Sequence, residues 1–445
     1  MAMGFATLFA MGVALFASGS QAQGTCSSPD AQVLILGAGM SGVSAARKLY
    51  DSSVSFIILE ARDKVGGRMR AVSFAGATVE VGANWIHGVD TTMNSKYKVN
   101  PVWDLRTKAG LQTVKDAESL KVYNASGGSS DISVRTALNS AGWVPQTSPE
   151  TLFADYFSFD SDAATRPENV SLYGWKSEST FEDFGDSNYL VVDPRGYEYL
   201  VQFVGQSFLN TNALHLNTTV TSVTYSDGCV CADVVERGQI KTYCGRQGVW
   251  KIDAISKFLL PLYLKVFVAF NETFWSADAG FNFIGRAVND PDSFAYTLVV
   301  PIGQLLPNNP SILLFIVTGN AAYRVASQNV SVTRQELLNA LRSVYGNFRA
   351  TVVDILVPDW ASNSLYYGSY STARVGITAD TFTKLASPVQ SLYFSGEATS
   401  MDYQGSVHGA YLSGMETADS IVNSGYAHGL SFVPAFVMLL AAIVF

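Results

Sequence analysis

The sequence predicts an α/β fold that contains a Rossmann-like dinucleotide-binding domain. Two observations near the start of the chain support this prediction. An apolar strand, Val33–Leu36, runs into the glycine-rich turn Gly37–Gly42, and a helical stretch then leads to a second apolar strand, Phe56–Leu59. A third observation is the apolar run 392–395, which enters another glycine-rich turn before a further helical stretch. Because alternating strands and helices indicate a parallel sheet, both ends of the chain are expected to meet at one ligand.

Each glycine of the first turn has its own task in dinucleotide binding. Gly37 makes the tight turn, Gly39 lets the backbone approach a pyrophosphate, and Gly42 lets the helix pack on the sheet. The phosphates then lie at a helix N-terminus, where N–H groups and the helix dipole stabilise negative charge. Glu60 ends the second strand, where a carboxylate can accept hydrogen bonds from ribose hydroxyls. The alternative is a glycine-rich turn without a ligand.

A second glycine-rich segment indicates which dinucleotide is bound. Residues 60–70 include Arg62, Gly67 and Arg68, and Arg68 can form a charge-assisted fork with phosphate or with the edge of a flavin. Asn84-Trp85-Ile86-His87-Gly88 follows. With these motifs the chain resembles the flavin-containing amine oxidases, and most of all polyamine oxidases. The resemblance implies FAD as the cofactor.

The resemblance covers nearly the whole chain, roughly residues 30 to 425, and implies two discontinuous domains. A Rossmann-like FAD-binding domain is assembled from three segments, and an α+β substrate-binding domain is assembled from the two segments between them. The expected FAD-binding segments are residues 30–105, 190–265 and 365–425, and the expected substrate-binding segments are residues 106–189 and 266–364. Residues 1–22 and the hydrophobic tail 426–445 lie outside both domains.

Further cofactor contacts follow from the resemblance. Glu397 is expected to hydrogen-bond the ribityl chain of FAD, and Trp360 is expected beside the flavin ring. Val220 is expected along the adenine, and Val407 at the flavin end. Glu397 could instead be a surface acid that is stabilised by a helix dipole. Trp360 could instead serve only to pack the core. Because no cysteine follows Cys244, the thioether by which some family members hold FAD is excluded, and non-covalent binding is expected.

Lys265 is the leading candidate for a catalytic residue. It lies within the apolar run 259–270, where an amine either extends to solvent or is held for a purpose. In the family that the chain resembles, the matching lysine holds a water near flavin N5 and assists reoxidation. The alternative is a lysine at a strand end that reaches water.

Four residues are expected at the substrate. His87 matches a position where polyamine oxidases have an acid or a histidine, and a near-neutral pKa would suit control of the protonation of the amine; a structural histidine is the alternative. Asp162 matches a second substrate-binding acid. Tyr370 matches one wall of an aromatic cage that binds the amine chain through cation–π contact. Ser406 occupies the position of the other wall, and a serine offers no π face.

Composition and charge exclude several classes of function. The chain has 445 residues, of which 48% are hydrophobic and 15% charged, and its formal net charge is −8. This length allows two large cores, and this composition excludes general disorder. The negative charge argues against a nucleic-acid partner. The expected partners are a small polyamine and O2, and the protein is expected to be a monomer.

Several features predict a secreted protein. Residues 1–22 are apolar and end in Ser20-Gln21-Ala22, which resembles a secretory signal peptide. Five Asn-x-Ser/Thr sequons follow, at Asn124, Asn169, Asn217, Asn271 and Asn329. The four cysteines permit disulfides in an oxidising compartment. A bridge from Cys229 or Cys231 to Cys244 would staple one hairpin, and free thiols are the alternative.

The C-terminal tail has three alternative fates. Residues 429–445 are apolar and contain Pro434, and this stretch is short for a membrane span of about 20 residues. Asn423-Ser424-Gly425 and a short polar spacer precede it, which resembles a GPI-anchor signal. The alternatives are an anchor signal, a membrane-associated tail and an unprocessed apolar terminus.

The resemblance is interrupted between Cys244 and Trp250. Relatives have a whole apolar strand and a loop between the matching positions, and that strand belongs to the cofactor sheet. Its absence is expected to leave an unpaired sheet edge and a hole beside the FAD. Several core side chains would be lost with it, and each contributes about 2–5 kcal/mol to the free energy of unfolding.

The expected function is FAD-dependent oxidation of spermine, spermidine or an acetylated form. Hydride passes from the carbon beside nitrogen to flavin N5, O2 is reduced to H2O2, and an aminoaldehyde and an amine are released. One alternative is an oxidase of other amines or of amino acids, for which Arg374 could bind the carboxylate. Another is a defective, splice-type variant without flavin. A histone demethylase is disfavoured because the chain has no inserted helical tower.

Overall fold

The structure is a computed structural model of the chain. The residues that it describes are 31–91, 98–116, 134–140, 142, 149–178, 183–226, 229–236, 239–244, 256–275, 284–285, 296, 298–388, 392–426 and 436–439.

Helices and strands alternate along most of this length. The helices are α1 (Met40–Asp51), α2 (Pro101–Ala109), α3 (Val134–Ser140), α4 (Pro149–Asp155), a π-helix (Tyr156–Asp160), α5 (Ser161–Ala163), α6 (Leu172–Glu178), α7 (Tyr199–Gly205), a 3-10 helix (Ile302–Leu305), α8 (Gly319–Ser327), α9 (Val330–Tyr345), α10 (Ala379–Ala386), a 3-10 helix (Glu397–Thr399) and α11 (Val407–Tyr426). The strands are β1 (Val33–Leu36), β2 (Phe56–Leu59), β3 (Ala71–Phe74), β4 (Ala77–Glu80), β5 (Trp85–Val89), β6 (Thr113–Lys115), β7 (Ser187–Val191), β8 (Leu214–His215), β9 (Thr218–Ser226), β10 (Cys229–Glu236), β11 (Gln239–Cys244), β12 (Phe258–Leu259), β13 (Leu264–Phe270), β14 (Ile284–Gly285), β15 (Leu298–Val300), β16 (Ile312–Val317), β17 (Val352–Leu356), β18 (Thr372–Ala373), β19 (Leu392–Ser395) and β20 (Phe436–Leu439).

A parallel sheet in the order β8-β2-β1-β20-β19 carries the glycine-rich turns. Val33 lies opposite Phe56 in the β1–β2 pair, and all the pairings of this sheet are parallel. Strands β1 and β2 are apolar along their whole length, as is typical of a parallel sheet whose two faces are both covered. Helices α1 and α11 pack against each other, and a Cβ on Gly414 would lie 2.2 Å from the Ser41 carbonyl oxygen. This arrangement confirms the predicted α/β fold.

On the side away from β2, strand β1 pairs with a strand from the C-terminal tail. Strand β20, from the hydrophobic tail, lies between β1 and β19 and is parallel to both. Among the described residues, β1 therefore has no unpaired edge on this side, because backbone of residues 436–439 pairs with it. The segment 245–250 itself lies outside the described residues.

An antiparallel sheet in the order β14-β15-β16-β13-β17 forms the second large core. Every residue of β13 and β16 is buried, and helices α8 and α9 contribute further buried side chains to the same cluster. Strand β13 begins at Leu264, so the predicted domain boundary after residue 265 falls inside this strand.

Smaller sheets connect these two cores. Strands β5, β7 and β6 pair in that order, and β11, β10 and β9 form a meander in which Cys231 lies directly opposite Cys244. The side chains of these cysteines are outside the described set, so the disulfide stays a prediction. Among the described residues, no helix is both long and apolar enough to span a membrane.

Candidate active site

The two glycine-rich segments near the N-terminus lie against each other at the end of β1. Gly37 has a left-handed φ of 103° and its N–H donates to the Leu59 carbonyl oxygen at 2.7 Å. Gly39 caps α1 without a side-chain hydrogen bond, and the first turn of α1 has no acid. A Cβ on Gly67 would lie 3.2 Å from the Gly39 Cα. The buried Gly42 continues α1, so backbone alone forms a surface that fits a pyrophosphate at a helix N-terminus.

Glu60 lies beside this turn, as predicted from its spacing. Its carboxylate accepts from the Ala38 N–H at 2.6 Å and from the Arg62 N–H at 2.9 Å. Burial raises the pKa of Glu60, although these two hydrogen bonds and the Arg62 charge act in the opposite direction. Val220 packs nearby against the cluster that contains Leu59. Glu60 and Val220 thus both lie near the first glycine turn, and their contacts with the adenosine part of FAD stay predictions.

Arg68 and Glu397 join the two ends of the chain at the other end of the site. The Arg68 Nη1 lies 2.7 Å from the Glu397 Oε1. The Ser371 N–H and hydroxyl and the Gly405 N–H also donate to this carboxylate. Burial alone would raise the pKa of Glu397, but the Arg68 charge and these hydrogen bonds hold it below its usual value. Glu397 is therefore a charged and fully hydrogen-bonded anchor, and its predicted contact with the ribityl chain stays a prediction.

Gln404 is a polar residue of this cluster that sequence reasoning did not identify. Its side chain is 1% exposed and its Nε2 donates to the Ser371 hydroxyl at 2.9 Å. Within the described part of the chain, its Oε1 has no hydrogen-bond partner. A buried acceptor without a donor is destabilising by about 1–3 kcal/mol. A hydroxyl or N–H of a bound cofactor would satisfy this atom, so the cluster fits a polar ligand here.

Lys265 is buried and is held in place by backbone oxygens, which contradicts a strand-end lysine that reaches solvent. Its Nζ donates to the carbonyl oxygens of Gly82 at 2.7 Å and Glu80 at 3.3 Å, and to the Asn84 Oδ1 at 3.4 Å. It also lies 4.9 Å from the centroid of the Trp85 ring. Burial lowers the pKa of Lys265, although the nearby Glu80 acts in the opposite direction. A lysine with a lowered pKa can gain or lose a proton near neutral pH.

Trp360 lies next to the segment that holds Lys265. It is 2% exposed, and its indole N–H donates to the Val81 carbonyl oxygen at 2.9 Å. The Arg70 guanidinium lies 5.7 Å from its ring centroid and Tyr366 packs edge-on against it at 4.7 Å. These contacts fix the orientation of the ring, and its predicted position beside a flavin stays a prediction.

Tyr370 connects the Arg68–Glu397 end of the site with Asp162. Its hydroxyl donates to the Asp162 carbonyl oxygen, and a Cβ on Gly405 would lie 3.4 Å from its ring. The Asp162 side chain is accessible to solvent, yet desolvation raises its pKa. The residue thus reaches solvent in part, while protein atoms surround its carboxyl group closely enough to disfavour the charged form. The predicted substrate residues Tyr370 and Asp162 are thus brought together.

An aromatic partner of Tyr370 comes from a position that was not predicted. Tyr263 lies with its ring centroid 6.1 Å from that of Tyr370. Its backbone N–H donates to the Ser369 hydroxyl at 2.8 Å, and Ser369 also accepts from Arg68 through its carbonyl oxygen. A sequence signal was available, because Tyr263 directly precedes β13 and stands two residues before Lys265.

Ser406 and Val407 lie at the start of α11. The Ser406 hydroxyl accepts from the Gly409 N–H at 2.9 Å and donates to the Tyr403 carbonyl oxygen at 2.7 Å. The Ser406 side chain is buried and caps the helix, which accounts for a serine at a position where an aromatic wall was expected. Val407 is half-buried and packs at the edge of the cluster around β1.

The half-buried His87 lies close to His408, which is fully buried. Burial lowers the pKa of His87 to about 4, although a hydrogen bond with the Asn188 side chain acts in the opposite direction. Burial and the neighbouring His87 lower the pKa of His408 to about 3. This lowered pKa differs from the near-neutral value expected for His87, because desolvation disfavours the charged imidazole. His408 also packs against the rings of Phe184 and Tyr403.

Comparisons with known proteins agree with this geometry. The family described as flavin containing amine oxidoreductase matches residues 40–154 and 143–422. Polyamine oxidase 1 of Zea mays is 30% identical over 459 residues, which span 88% of this chain and 90% of that protein. Polyamine oxidase 6 of Oryza sativa subsp. japonica is 30% identical over 457 residues, with coverage of 88% and 90%.

A solved structure shares the fold. Putrescine oxidase bound to putrescine superimposes with a TM-score of 0.66 at 17% identity, covering 88% of this chain and 99% of that one. The resemblance drawn from the sequence motifs is confirmed. The chain belongs to the family of flavin-containing amine oxidoreductases, whose cofactor is FAD.

Proposed function

We propose that this protein is a secreted polyamine oxidase that holds FAD without a covalent bond. The observation that carries the proposal is the position of Tyr370, whose ring lies beside Gly405 at the Arg68–Glu397 end of the site and whose hydroxyl donates to the Asp162 carbonyl oxygen. A polyamine is a chain of methylene groups between ammonium groups. Aromatic faces suit its methylene and cationic segments, and a carboxylate suits one of its ammonium groups.

The chemistry that a bound flavin would supply is acceptance of a hydride from the amine, followed by return of the flavin to its oxidised form through O2. The balanced reaction converts a secondary amine, O2 and water into an aldehyde, a primary amine and H2O2. Tyr263 and Tyr370 would bind the amine chain, and Asp162 would pair with an ammonium group. Because His87 stays uncharged near neutrality, it can accept a hydrogen bond from a substrate ammonium. Lys265 would hold or move a proton from its position on the Gly82 carbonyl oxygen.

The proposal is tested by anaerobic addition of spermine to the purified, flavin-loaded protein. We expect the flavin absorbance to bleach with spermine or an acetylated polyamine, and admission of O2 to restore it with one H2O2 per turnover. Tyr370→Leu is expected to raise KM for spermine by roughly 3- to 30-fold, which corresponds to about 0.5–2 kcal/mol. Tyr323→Leu, at a tyrosine that is 45% exposed, is the control. A flavin that only a monoamine or an amino acid reduces would contradict the polyamine proposal.

The alternative of an amino-acid oxidase has less support. Arg374 was the candidate for binding a carboxylate, but its side chain is exposed and its backbone N–H donates to the Lys257 carbonyl oxygen beside β18. An arginine in this position is solvated rather than directed at a recess. Its substitution by glutamine is therefore expected to leave KM for every amine substrate unchanged.

We also propose that the protein is extracellular and glycosylated. Support comes from the apolar residues 1–22 and from the sequons, since the four sequon asparagines that the structure describes are all exposed: Asn169, Asn217, Asn271 and Asn329. The test is expression in a eukaryotic host, followed by digestion of the medium fraction with a glycosidase that removes N-linked sugars. A protein retained in the cytosol, or one whose mass the glycosidase does not change, would contradict this proposal.

A further inference from the structure

The hydrophobic tail has a defined position in the cofactor sheet. Val437 lies opposite Ile35 of β1 and also opposite Tyr393 of β19, and both pairings are parallel. The register with β19 continues to Leu439, which lies opposite Ser395. Strand β20 is therefore an internal strand, with hydrogen-bonded neighbours on both sides.

Strand β20 supplies an internal strand to a sheet that was expected to lack one. The chain has only a short link between Cys244 and Trp250, where a cofactor-sheet strand was expected from the resemblance. Without β20, β1 would have no partner on the side away from β2 among the described strands. An internal strand lost from a parallel sheet leaves unpaired N–H and carbonyl groups next to the first glycine turn.

The sequence of the tail fits the same position. Phe436-Val437-Met438-Leu439 is apolar at every residue, as is expected for a strand of a parallel sheet that is covered on both faces. The connection is also suitable, because β19, α11 and β20 follow each other in the chain. Parallel neighbours are joined by a crossover of a dozen or more residues, usually a helix.

The two neighbours of β20 carry the two halves of the cofactor site. Strand β1 leads into Gly37, and β19 leads into Gly396 and Glu397. The Ser41 hydroxyl, in the first turn of α1, lies 2.8 Å from the hydroxyl of Ser395, the last residue of β19, so the helix that follows the glycine turn contacts the strand that leads to Glu397. A strand inserted between β1 and β19 sets the distance at which the turns can meet.

We propose that residues 436–439 are a substitute strand of the FAD-binding sheet, and that they hold the glycine turn and the Glu397 turn at the spacing that FAD binding requires. The tail then stays with the folded enzyme instead of entering a membrane or being removed by anchor processing. This inference rests on FAD as the cofactor but not on the identity of the amine substrate.

The first test uses the unmodified full chain and hydrogen–deuterium exchange measured by mass spectrometry. We expect amides of residues 436–439 to exchange roughly 100-fold or more slowly than those of an unstructured peptide of the same sequence. Mass spectrometry of the mature, flavin-loaded protein should also find the tail present. Exchange at the rate of an unstructured peptide, or a flavin-loaded protein that lacks the tail or needs detergent to stay soluble, would overturn the proposal.

The second test compares two proline substitutions in the same tail. Val437→Pro removes an N–H from β20. We expect this change to speed hydrogen exchange of the Val33–Leu36 amides and to lower the fraction of protein that holds flavin at least 10-fold. Ser431→Pro, outside the strand, is the matched control and should change neither quantity. If both variants show the same amide exchange in β1 and the same flavin occupancy, residues 436–439 do not act as a strand of the FAD-binding sheet. A protected tail in a protein that oxidises no polyamine would leave this inference standing and refute only the proposed substrate.

Discussion

Arg68 and Glu397, which are 329 positions apart in the sequence, form an ion pair of 2.7 Å between Nη1 and Oε1. The carboxylate side is 6% exposed and the guanidinium side 22% exposed. Arg68 follows the second glycine pair, and Glu397 follows β19. This single contact therefore ties the N-terminal and C-terminal parts of the cofactor site to each other.

The first prediction concerns this pair. Glu397→Gln removes the charge that faces Arg68 and places an amide against the N–H donors of Ser371 and Gly405. We expect the free energy of unfolding to fall by about 2–4 kcal/mol, because a partly buried guanidinium loses its partner. The ratio of flavin to protein, read from the visible and ultraviolet absorbance, should fall as well.

The control is an exposed ion pair of the same type. The Arg70 Nη1 lies 2.9 Å from the Oδ1 of Asp359, whose side chain is 50% exposed. Asp359→Asn should therefore lower the free energy of unfolding by only about 0–1 kcal/mol. If Asp359→Asn and Glu397→Gln lower the melting temperature equally, the Arg68–Glu397 pair has no special part in holding the site together.

The second prediction concerns the contact between the two glycine turns. Gly67→Ala introduces a Cβ at a left-handed φ of 60° and 3.2 Å from the Gly39 Cα. We expect flavin affinity to fall at least 10-fold, because the turn that approaches the pyrophosphate has to shift. Gly76→Ala is the matched control, since φ is 80° there and no atom lies within 4 Å of the new Cβ.

Both variants bear the backbone strain of a left-handed alanine, about 1–2 kcal/mol. A difference in flavin affinity between them therefore reports the Gly39–Gly67 contact alone. Equal affinities measured by fluorescence titration of the apoprotein with FAD would show that this contact does not position the cofactor.

Local patterns in the sequence were sufficient for the parts of the site that follow strands. The turn Gly37–Gly42 and Glu60 could be assigned because an apolar strand, a helix and a correctly spaced acid are all adjacent in sequence. Lys265 could be singled out because a lysine inside an apolar run is unusual. These features depend on neighbours within a few tens of residues, which a sequence displays directly.

Features that depend on distant partners could not be predicted in the same way. The resemblance implied a missing strand after Cys244, but nothing local indicated that residues 436–439 pair between β1 and β19, because parallel pairing has no local signal. The lowered pKa of His408 depends in part on His87, 321 positions earlier in the sequence. Ser406 could not be recognised as a helix cap until α11 was seen to begin at Val407.

The third prediction concerns Lys265. Lys265→Met leaves the carbonyl oxygens of Gly82 and Glu80 without their buried donor, which should cost about 1–3 kcal/mol of stability. If Lys265 acts in reoxidation, the reaction of the reduced enzyme with O2 should slow at least 10-fold, while anaerobic reduction by the amine changes less than 3-fold. Stopped-flow absorbance measures the two half-reactions separately.

Lys48→Met removes a lysine whose partner, Asp419, is 49% exposed, and it should leave both half-reactions unchanged. A Lys265→Met enzyme that is reduced slowly but reoxidised at the normal rate would assign Lys265 to amine oxidation instead.

The last prediction concerns stability in acid. The pKa values of His87 and His408 are lowered to about 4 and about 3 in the folded protein, whereas an unfolded histidine has a value of about 6.5. Between these values the unfolded chain binds more protons than the folded chain, so stability falls as the pH is lowered from about 6.5. The loss on reaching pH 4 should be on the order of 2–3 kcal/mol for each histidine.

His408→Gln removes one of these titrating groups while keeping a polar side chain of similar reach. We expect it to reduce the difference in melting temperature between pH 7.5 and pH 5, even if it lowers both temperatures through lost packing against Phe184 and Tyr403. His215→Gln, at the end of β8, serves as the control. If the melting temperature of His408→Gln depends on pH as steeply as that of the unmodified protein, acid destabilisation arises from other groups. Asp160 is not one of them, because its pKa is raised in the folded protein, and a carboxyl group with a raised pKa stabilises the fold as the pH falls.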